Sequence, residues 1–371
     1  MADSPVRVAF VTGEPTPYRI PHLRALAARP ELELTVLYAA ATVQRRTWRL
    51  EHDEAVYLDG PKLPLSRILH HDYALTPGIW GELERGRFQL VVVGGWSLMA
   101  TQLAIAWSRR RRVPYVLMSD NHLLEPRPGW VRAVKRAVLP RLVPQAAAWL
   151  VPGSLARDHI VAYGARPERT LVFPLTIDVA GFGARVDALR AARTAGGEVV
   201  VLHVGRLIAH KAVEVLVRAA AAAGVRLHVV GDGPERQALE ALASSLSTDV
   251  TFSGELAGDE LAAAYAAADV FALASRRETW GVVVNEAAAA GLPLVLSDAV
   301  GAAGDLLRDG ENGVLVPPGD MAQLAAALRR LAADPELRRR MGSRSRELVA
   351  GWGYESSVDA FVRLAQELVR C

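Results

Sequence analysis

The sequence predicts an α/β protein built from two doubly wound, parallel-sheet domains. Short β-branched runs alternate with Ala/Leu/Arg-rich helical stretches along the whole chain, the order a parallel sheet requires because each crossover returns through a helix. The 371 residues correspond to about two domains at roughly 150 residues each. Hydrophobic residues make up 51% and charged residues 22%, enough apolar material for two cores and too much for a disordered chain.

The first series of strands begins with VRVAFVTG, continues through LELTVLYAA, LVVVGG, PYVLMSDN and AAWLVPGS, and ends near Asp178. The second begins with EVVVLHVGR and continues through VRLHVVGDG, DVTFSG, DVFALAS, PLVLSD and GVLVPPG. Between them, the charged, Ala/Gly-rich residues 181–197, with DALRAARTAGG, are expected to connect the domains. Residues 88–107 (FQLVVVGGWSLMATQLAIAW) are uncharged and about as long as a bilayer crossing. The triple valine followed by Gly94 and Gly95 instead predicts strand, turn and helix. Two such sheets facing each other would gather their strand C-termini around one cleft, the expected site.

Composition excludes several classes. The single cysteine, Cys371, leaves no disulfide framework and no cysteine-based zinc site, in keeping with a reducing, cytoplasmic compartment. Residues 6–11 are too short an apolar run for a signal peptide. A formal net charge of +3 argues against a dedicated nucleic-acid binder. The charge is uneven: residues 1–180 hold 23 Lys+Arg against 16 Asp+Glu, and the remainder 20 against 24. Only Lys62, Lys135 and Lys211 are lysines, so a lysine beside a glycine-marked loop stands out.

Three motifs carry chemistry. In VLHVGRLIAHK a buried strand ends at Val204, Gly205 permits a tight turn, and Arg206 and Lys211 precede an Ala-rich helix. N–H groups at a helix start favour anions, and an Arg fork plus a Lys point charge suit two phosphates; a solvated pair on a strand-to-helix loop is the plainer alternative. In LHVVGDGPERQAL, Gly231, Gly233 and Pro234 form a strand-to-helix turn common in doubly wound folds, without the G-x-G-x-x-G spacing of a dinucleotide site.

The third motif, SRRETWGVVVNEAAAAGLPLVLSD, separates Glu278 from Glu286 by seven residues. On one continuous helix they would stand about 80° apart, but Thr279, Trp280 and Gly281 read as a helix start, leaving Glu278 in the loop before it. Both carboxylates can then face one ligand. Glu286 suits a vicinal diol, and the N–H groups after Glu278 suit phosphate or hydroxyl oxygens. The alternative, an acidic loop on a helix dipole plus an exposed Glu, is opposed by the apolar residues 282–284 and 287–290. A carboxylate in a buried helix needs a partner or a ligand.

With these motifs the sequence resembles the family 4 retaining glycosyltransferases of GT-B fold, in which two Rossmann-like doubly wound parallel-sheet domains face each other across a cleft. VGRLIAHK, VGDGP, ETWGVVVNE, AAAGLPLVLSD and ENGVLVPPGD occur in the family's order and approximate spacing. The resemblance implies an acceptor-binding domain over residues 1–180, completed by a C-terminal helix within 352–371, and a donor-binding domain over 181–351. It implies a nucleoside diphosphate sugar, a UDP- or GDP-sugar, as donor. The residues matching Arg206 and Lys211 hold the diphosphate, the one matching Glu286 the ribose hydroxyls and the one matching Glu278 the hexose. Backbone groups of Trp280, Gly281 and Val282, with Thr279 beside them, lie near the sugar and phosphate, Gly205 and Gly233 belong to the donor turns, and residues 253–256, Leu256 among them, approach the base. Charge develops on the leaving diphosphate, where an Arg, a Lys and a helix N-terminus stabilise it without a divalent metal; no cofactor is implied.

For the acceptor side the resemblance rests on VTGEPTPYRIPHL, placing Gly13 and Glu14 in the loop near the donor and Tyr18 and Arg19 towards the acceptor. After PYVLM the family carries a His or acidic residue close to the reacting carbon, matched on register by Asp120 and next by His122. A glycan, a glycolipid or a small-molecule hydroxyl fits as acceptor. Residues 130–143 (WVRAVKRAVLPRLV) mix cationic and apolar side chains in a helical pattern broken by Pro140, which suits contact with the inner face of a membrane. Competing readings are a GT-B nucleotide-sugar 2-epimerase, a nicotinamide-dependent oxidoreductase lacking its phosphate fingerprint, and an inactive binding subunit, opposed by intact Arg206, Lys211, Glu278 and Glu286.

Overall fold

The computed structural model describes residues 4–42, 52, 55–63, 73–120, 129–191 and 197–370. Its strands are β1 (Val6–Thr12), β2 (Leu32–Tyr38), β3 (Val56–Tyr57), β4 (Lys62–Leu63), β5 (Tyr73–Ala74), β6 (Leu90–Gly94), β7 (Tyr115–Met118), β8 (Ala148–Val151), β9 (Thr170–Val172), β10 (Val200–Val204), β11 (Arg226–Val230), β12 (Val250–Gly254), β13 (Val270–Leu273), β14 (Leu294–Ser297) and β15 (Gly313–Val316). Its helices are α1 (Arg19–Ala27), α2 (Ile79–Gly86), α3 (Met99–Arg111), α4 (Gly129–Leu142), α5 (Ser154–Val161), α6 (Val179–Ala191), α7 (Val213–Ala223), α8 (Arg236–Ser245), α9 (Gly258–Ala267), α10 (Val282–Ala289), α11 (Ala303–Leu306), α12 (Met321–Ala333), α13 (Pro335–Val349) and α14 (Tyr354–Arg370).

The strands form two parallel sheets in the orders β3-β2-β1-β6-β7-β8-β9 and β12-β11-β10-β13-β14-β15, with β4 and β5 as a separate antiparallel pair. Each sheet winds outward from its first strand and then reverses, between β1 and β6 in one and between β10 and β13 in the other. Ligands of open parallel sheets bind beyond the strand carboxyl ends at this reversal. Helices cover both faces, so the central strands are apolar without alternation; Val91, Val92 and Val93, like Phe271, Ala272 and Leu273, are wholly buried. Residues 88–107 hold the whole of β6, a turn at Gly95 with φ +88° and most of α3. Among the described residues no helix is long and apolar enough to cross a membrane.

The chain divides into two compact units, with crossings at Leu175/Thr176 and Gly353/Tyr354. The first holds the seven-stranded sheet and α14, whose Val358, Phe361 and Val362 pack into a core with Phe10, Leu23 and Phe173. The second holds the six-stranded sheet. Of residues 181–197, expected to connect the domains, 181–191 are helical instead. They lie in α6, which buries Val186 and packs on α9 and α10, so the crossing at Leu175/Thr176 falls ahead of that helix. Nor does Pro140 break its helix: α4 continues to Leu142, because a proline in the last turn forfeits a single backbone bond.

Candidate active site

In the second unit, two loops at the β10/β13 reversal carry the cationic and acidic residues singled out in the sequence. Beyond β10 the chain turns at Gly205, presents Arg206 exposed, and enters a 3₁₀ turn over Ala209–Lys211. Its course is held by backbone bonds to the turn after β11: Gly205 N–H to Val230 O at 2.9 Å and Leu207 N–H to Asp232 O at 2.8 Å. The two turns approach so closely that a Cβ on Gly231 would lie 1.9 Å from Gly205 O, and one on Gly233 2.4 Å from Leu207 O. The Gly-Asp-Gly run thus lets the loop carrying Arg206 lie against its neighbour.

Beyond β13, Arg276 ties the second loop to the first, its N–H reaching His210 O at 2.8 Å and its guanidinium pairing with Glu214 at 2.7 Å. The backbone at Glu278 is pinned on both sides, by Glu278 N–H to Ala299 O at 3.1 Å and Gly301 N–H to Glu278 O at 3.0 Å. Gly281, at φ +91°, then caps α10, leaving Glu278 in the loop before it. The first N–H groups of α10 have no carbonyl within the helix and carry its positive end.

These loops bring the Lys211 ammonium onto the Glu278 carboxylate as an ion pair, with side chains only 11% and 16% exposed. Glu286 projects from the second turn of α10, where one carboxylate oxygen accepts the Tyr265 hydroxyl at 2.7 Å. Burial raises the Glu286 carboxyl to about 7, against the lowering effect of that hydroxyl. Burial also holds the Tyr265 hydroxyl well above its usual range. The Trp280 ring is in the core, 2% exposed and stacked 5.4 Å from Trp352. Its Nε1 donates to Asn285 Oδ1 at 3.0 Å, and Asn285 Nδ2 donates to Thr176 Oγ1 at 3.2 Å. Thr279, Gly281 and Val282 are half-buried along the same loop, as is Leu256 after β12.

Sequence reasoning missed Tyr265, Asn285, Thr176 and His203. Tyr265 and Thr176 lie far along the chain from the motif they support, whereas His203 and Asn285 lie inside the first and third motifs, where an isolated polar residue in an apolar run, such as His203 in VVLHV, was the signal.

In the first unit, Gly13 follows β1 and its carbonyl accepts Ala40 N–H at 3.1 Å. Glu14 is buried and accepts the Thr42 hydroxyl at 3.0 Å. Tyr18 caps α1 and Arg19 opens it, with the guanidinium 5.6 Å above the Phe173 ring. Burial lowers the Arg19 pKa, opposed by Tyr18 and by Asp120. Asp120 is exposed just past β7, while His122 lies outside the described residues.

Two family descriptions account for most of the chain: glycosyl transferase 4-like domain over residues 15–176 and glycosyl transferases group 1 over residues 187–348. The chain belongs to the family 4 glycosyltransferases. This family 4 protein is 31% identical over 306 residues to the sulfoquinovosyl transferase of Arabidopsis thaliana, covering 77% of this chain and 57% of that one. It is 38% identical over 173 residues to the GDP-mannose-dependent alpha-mannosyltransferase of Mycobacterium tuberculosis, covering 46% and 44%. The chain thus spans about half the length of the curated relatives it matches. HepE of Anabaena, solved in complex with UDP, superposes with a TM-score of 0.79 at 19% identity over 98% of this chain and 100% of that one. At that identity the likeness concerns the fold, which is GT-B.

Proposed function

We propose that this chain is a retaining, metal-independent glycosyltransferase that moves a hexosyl group from a nucleoside diphosphate sugar to a hydroxyl of a glycan, glycolipid or small molecule. The observation that carries this reading is the meeting of Lys211 and Glu278 at the β10/β13 reversal, beside exposed Arg206 and the N-terminus of α10. As the bond between the anomeric carbon and the diphosphate oxygen breaks, negative charge gathers on the leaving group. Arg206 and Lys211 lower that barrier by opposing the charge where it forms. Glu278 accepts hydroxyls of the hexose and Glu286 those of the ribose. The acceptor oxygen bonds to the anomeric carbon as the diphosphate leaves and gives its proton to a base, for which Asp120 and next His122 are the sequence candidates. Donors with UDP or GDP are favoured by relatives named for GDP-mannose or solved with UDP.

A second contact is proposed with anionic membranes through α4. Val134 and Val138, one turn apart, are 54% and 45% exposed, with Arg132, Arg136 and Arg141 exposed around them. Sedimentation with phosphatidylglycerol vesicles tests it, and equal recovery with neutral vesicles would dismiss it.

The deciding experiment is calorimetric binding of UDP, GDP, ADP and TDP with and without EDTA, followed by the matching sugars and NMR of the product's anomeric configuration. One base bound equally in EDTA, lost in Glu286→Ala, with a retained anomer, supports the reading. Absence of binding to all four sinks it.

A further inference from the structure

His203 interrupts the otherwise aliphatic strand β10, and its side chain is wholly buried. Its Nδ1 stands 3.2 Å from the carbonyl of Ala272 on the adjacent β13. A carbonyl only accepts, so Nδ1 carries the ring hydrogen and Nε2 presents a bare lone pair. That Nε2 is buried and has no hydrogen-bond partner among the described residues. Its direction is marked by Gly205, two residues on along the same face: a Cβ there would lie 3.5 Å from His203 Nε2 and 3.8 Å from Lys211 Nζ. The orphaned acceptor and the Lys211 ammonium therefore converge on one small space, on the floor of the loop that carries the cations. Burial first, and Lys211 next, lower the His203 imidazole to about 4, so the ring is neutral near pH 7.

We propose that His203 is a positioning residue for Lys211, its Nε2 accepting a hydrogen bond from the ammonium when a donor diphosphate draws that ammonium away from Glu278. The inference rests on the donor-site reading of this unit. Lys211 has three N–H donors on a flexible four-carbon stem, and in the unliganded protein Glu278 fixes it. A phosphate and a carboxylate then compete for one positive charge. A neutral acceptor beneath the ammonium holds it in place without cancelling that charge, and Glu278 becomes available to the hexose.

The test uses the full chain and the nucleoside diphosphate it binds best. In long-range ¹H–¹⁵N spectra, His203 Nε2 has the resonance of a free lone pair without nucleotide and moves upfield by several ppm on saturation; a resonance that stays put overturns the proposal. His203→Phe, which keeps a ring but no acceptor, lowers kcat on the order of 10-fold with acceptor KM unchanged, and His203→Gln restores most of it. In a His203→Phe/Lys211→Ala double variant the loss equals that of Lys211→Ala alone. Losses that add fully, or wild-type kinetics in His203→Phe, overturn the proposal while leaving the donor site standing. A wild-type chain that binds no nucleotide overturns both.

Discussion

Lys211 and Glu278, 67 positions apart in the chain, neutralise each other, each supplied by a different loop at the point where the second sheet reverses direction. On the proposed donor-site reading, a pair so placed is a lock that a ligand opens. The charges are mostly sheltered from water, so their mutual attraction is stronger than at a surface, and a diphosphate must supply a better partner for the ammonium than the carboxylate it displaces.

Glu278→Gln is therefore expected to tighten binding of the bare nucleoside diphosphate several-fold, since the competitor for Lys211 is gone, while lowering turnover of the sugar donor by about 100-fold or more. Lys211→Ala is expected to weaken nucleotide binding and remove most turnover. Calorimetry and initial rates on the two variants check both; weaker nucleotide binding in Glu278→Gln would contradict the lock.

On the proposed reading Glu286 accepts ribose hydroxyls as a carboxylate, and its pKa is raised to about 7 by burial. Nucleotide affinity is expected to rise as pH goes from 6 to 8, and to lose that dependence in Glu286→Gln. The linkage to stability has the opposite sign. A carboxyl raised from 4.5 to about 7 binds more protons folded than unfolded, so its contribution is full below the unfolded pKa and lost as pH rises through the folded one. Denaturant melts at pH 5 and pH 8, wild type against Glu286→Gln, measure this.

The Tyr265 hydroxyl is the one group that lowers the Glu286 pKa. In Tyr265→Phe the midpoint of the pH dependence of nucleotide binding is expected to move upward, with the fold retained because the ring still packs on Phe271 and Phe182. Titration calorimetry over pH reads the midpoint.

Asn285 bridges the Trp280 indole and the Thr176 hydroxyl in a wholly buried position. Asn285→Ala is expected to cost about 1–3 kcal/mol by leaving the indole N–H without a partner, read as a lowered urea midpoint with an unchanged slope.

Gly231→Ala is expected to cost about 2–4 kcal/mol and to weaken nucleotide binding together with stability. The added Cβ would lie 1.9 Å from Gly205 O at φ +131°, so the loop bearing Arg206 must move. Unfolding and nucleotide titration on one preparation compare the two effects.

The fold and the list of candidate side chains were legible for definite reasons. Central strands of a parallel sheet are buried on both faces, so LVVVGG and DVFALAS announce themselves as unbroken apolar runs. The helix start after Glu278 was legible because Gly281 takes a backbone conformation other residues avoid. The three-residue β9 and two-residue β3 are too short to show a pattern, and their pairing is decided by the strand beside them. α6 was misread as a connection because an Ala/Gly/Arg-rich stretch does not show which core its few apolar residues will face.

By itself the sequence determined that this is a two-sheet α/β protein with an Arg, a Lys and two Glu on the turns of its second half, because local periodicity and glycine punctuation are written residue by residue. Tertiary structure alone decided who meets whom. Lys211 faces Glu278, Tyr265 faces Glu286, and His203 Nε2 and the Lys211 ammonium both border the space at Gly205. Such pairings come from the order in which strands lie side by side, and a parallel sheet places β10 against β13 across 65 intervening residues that a linear reading cannot fold away.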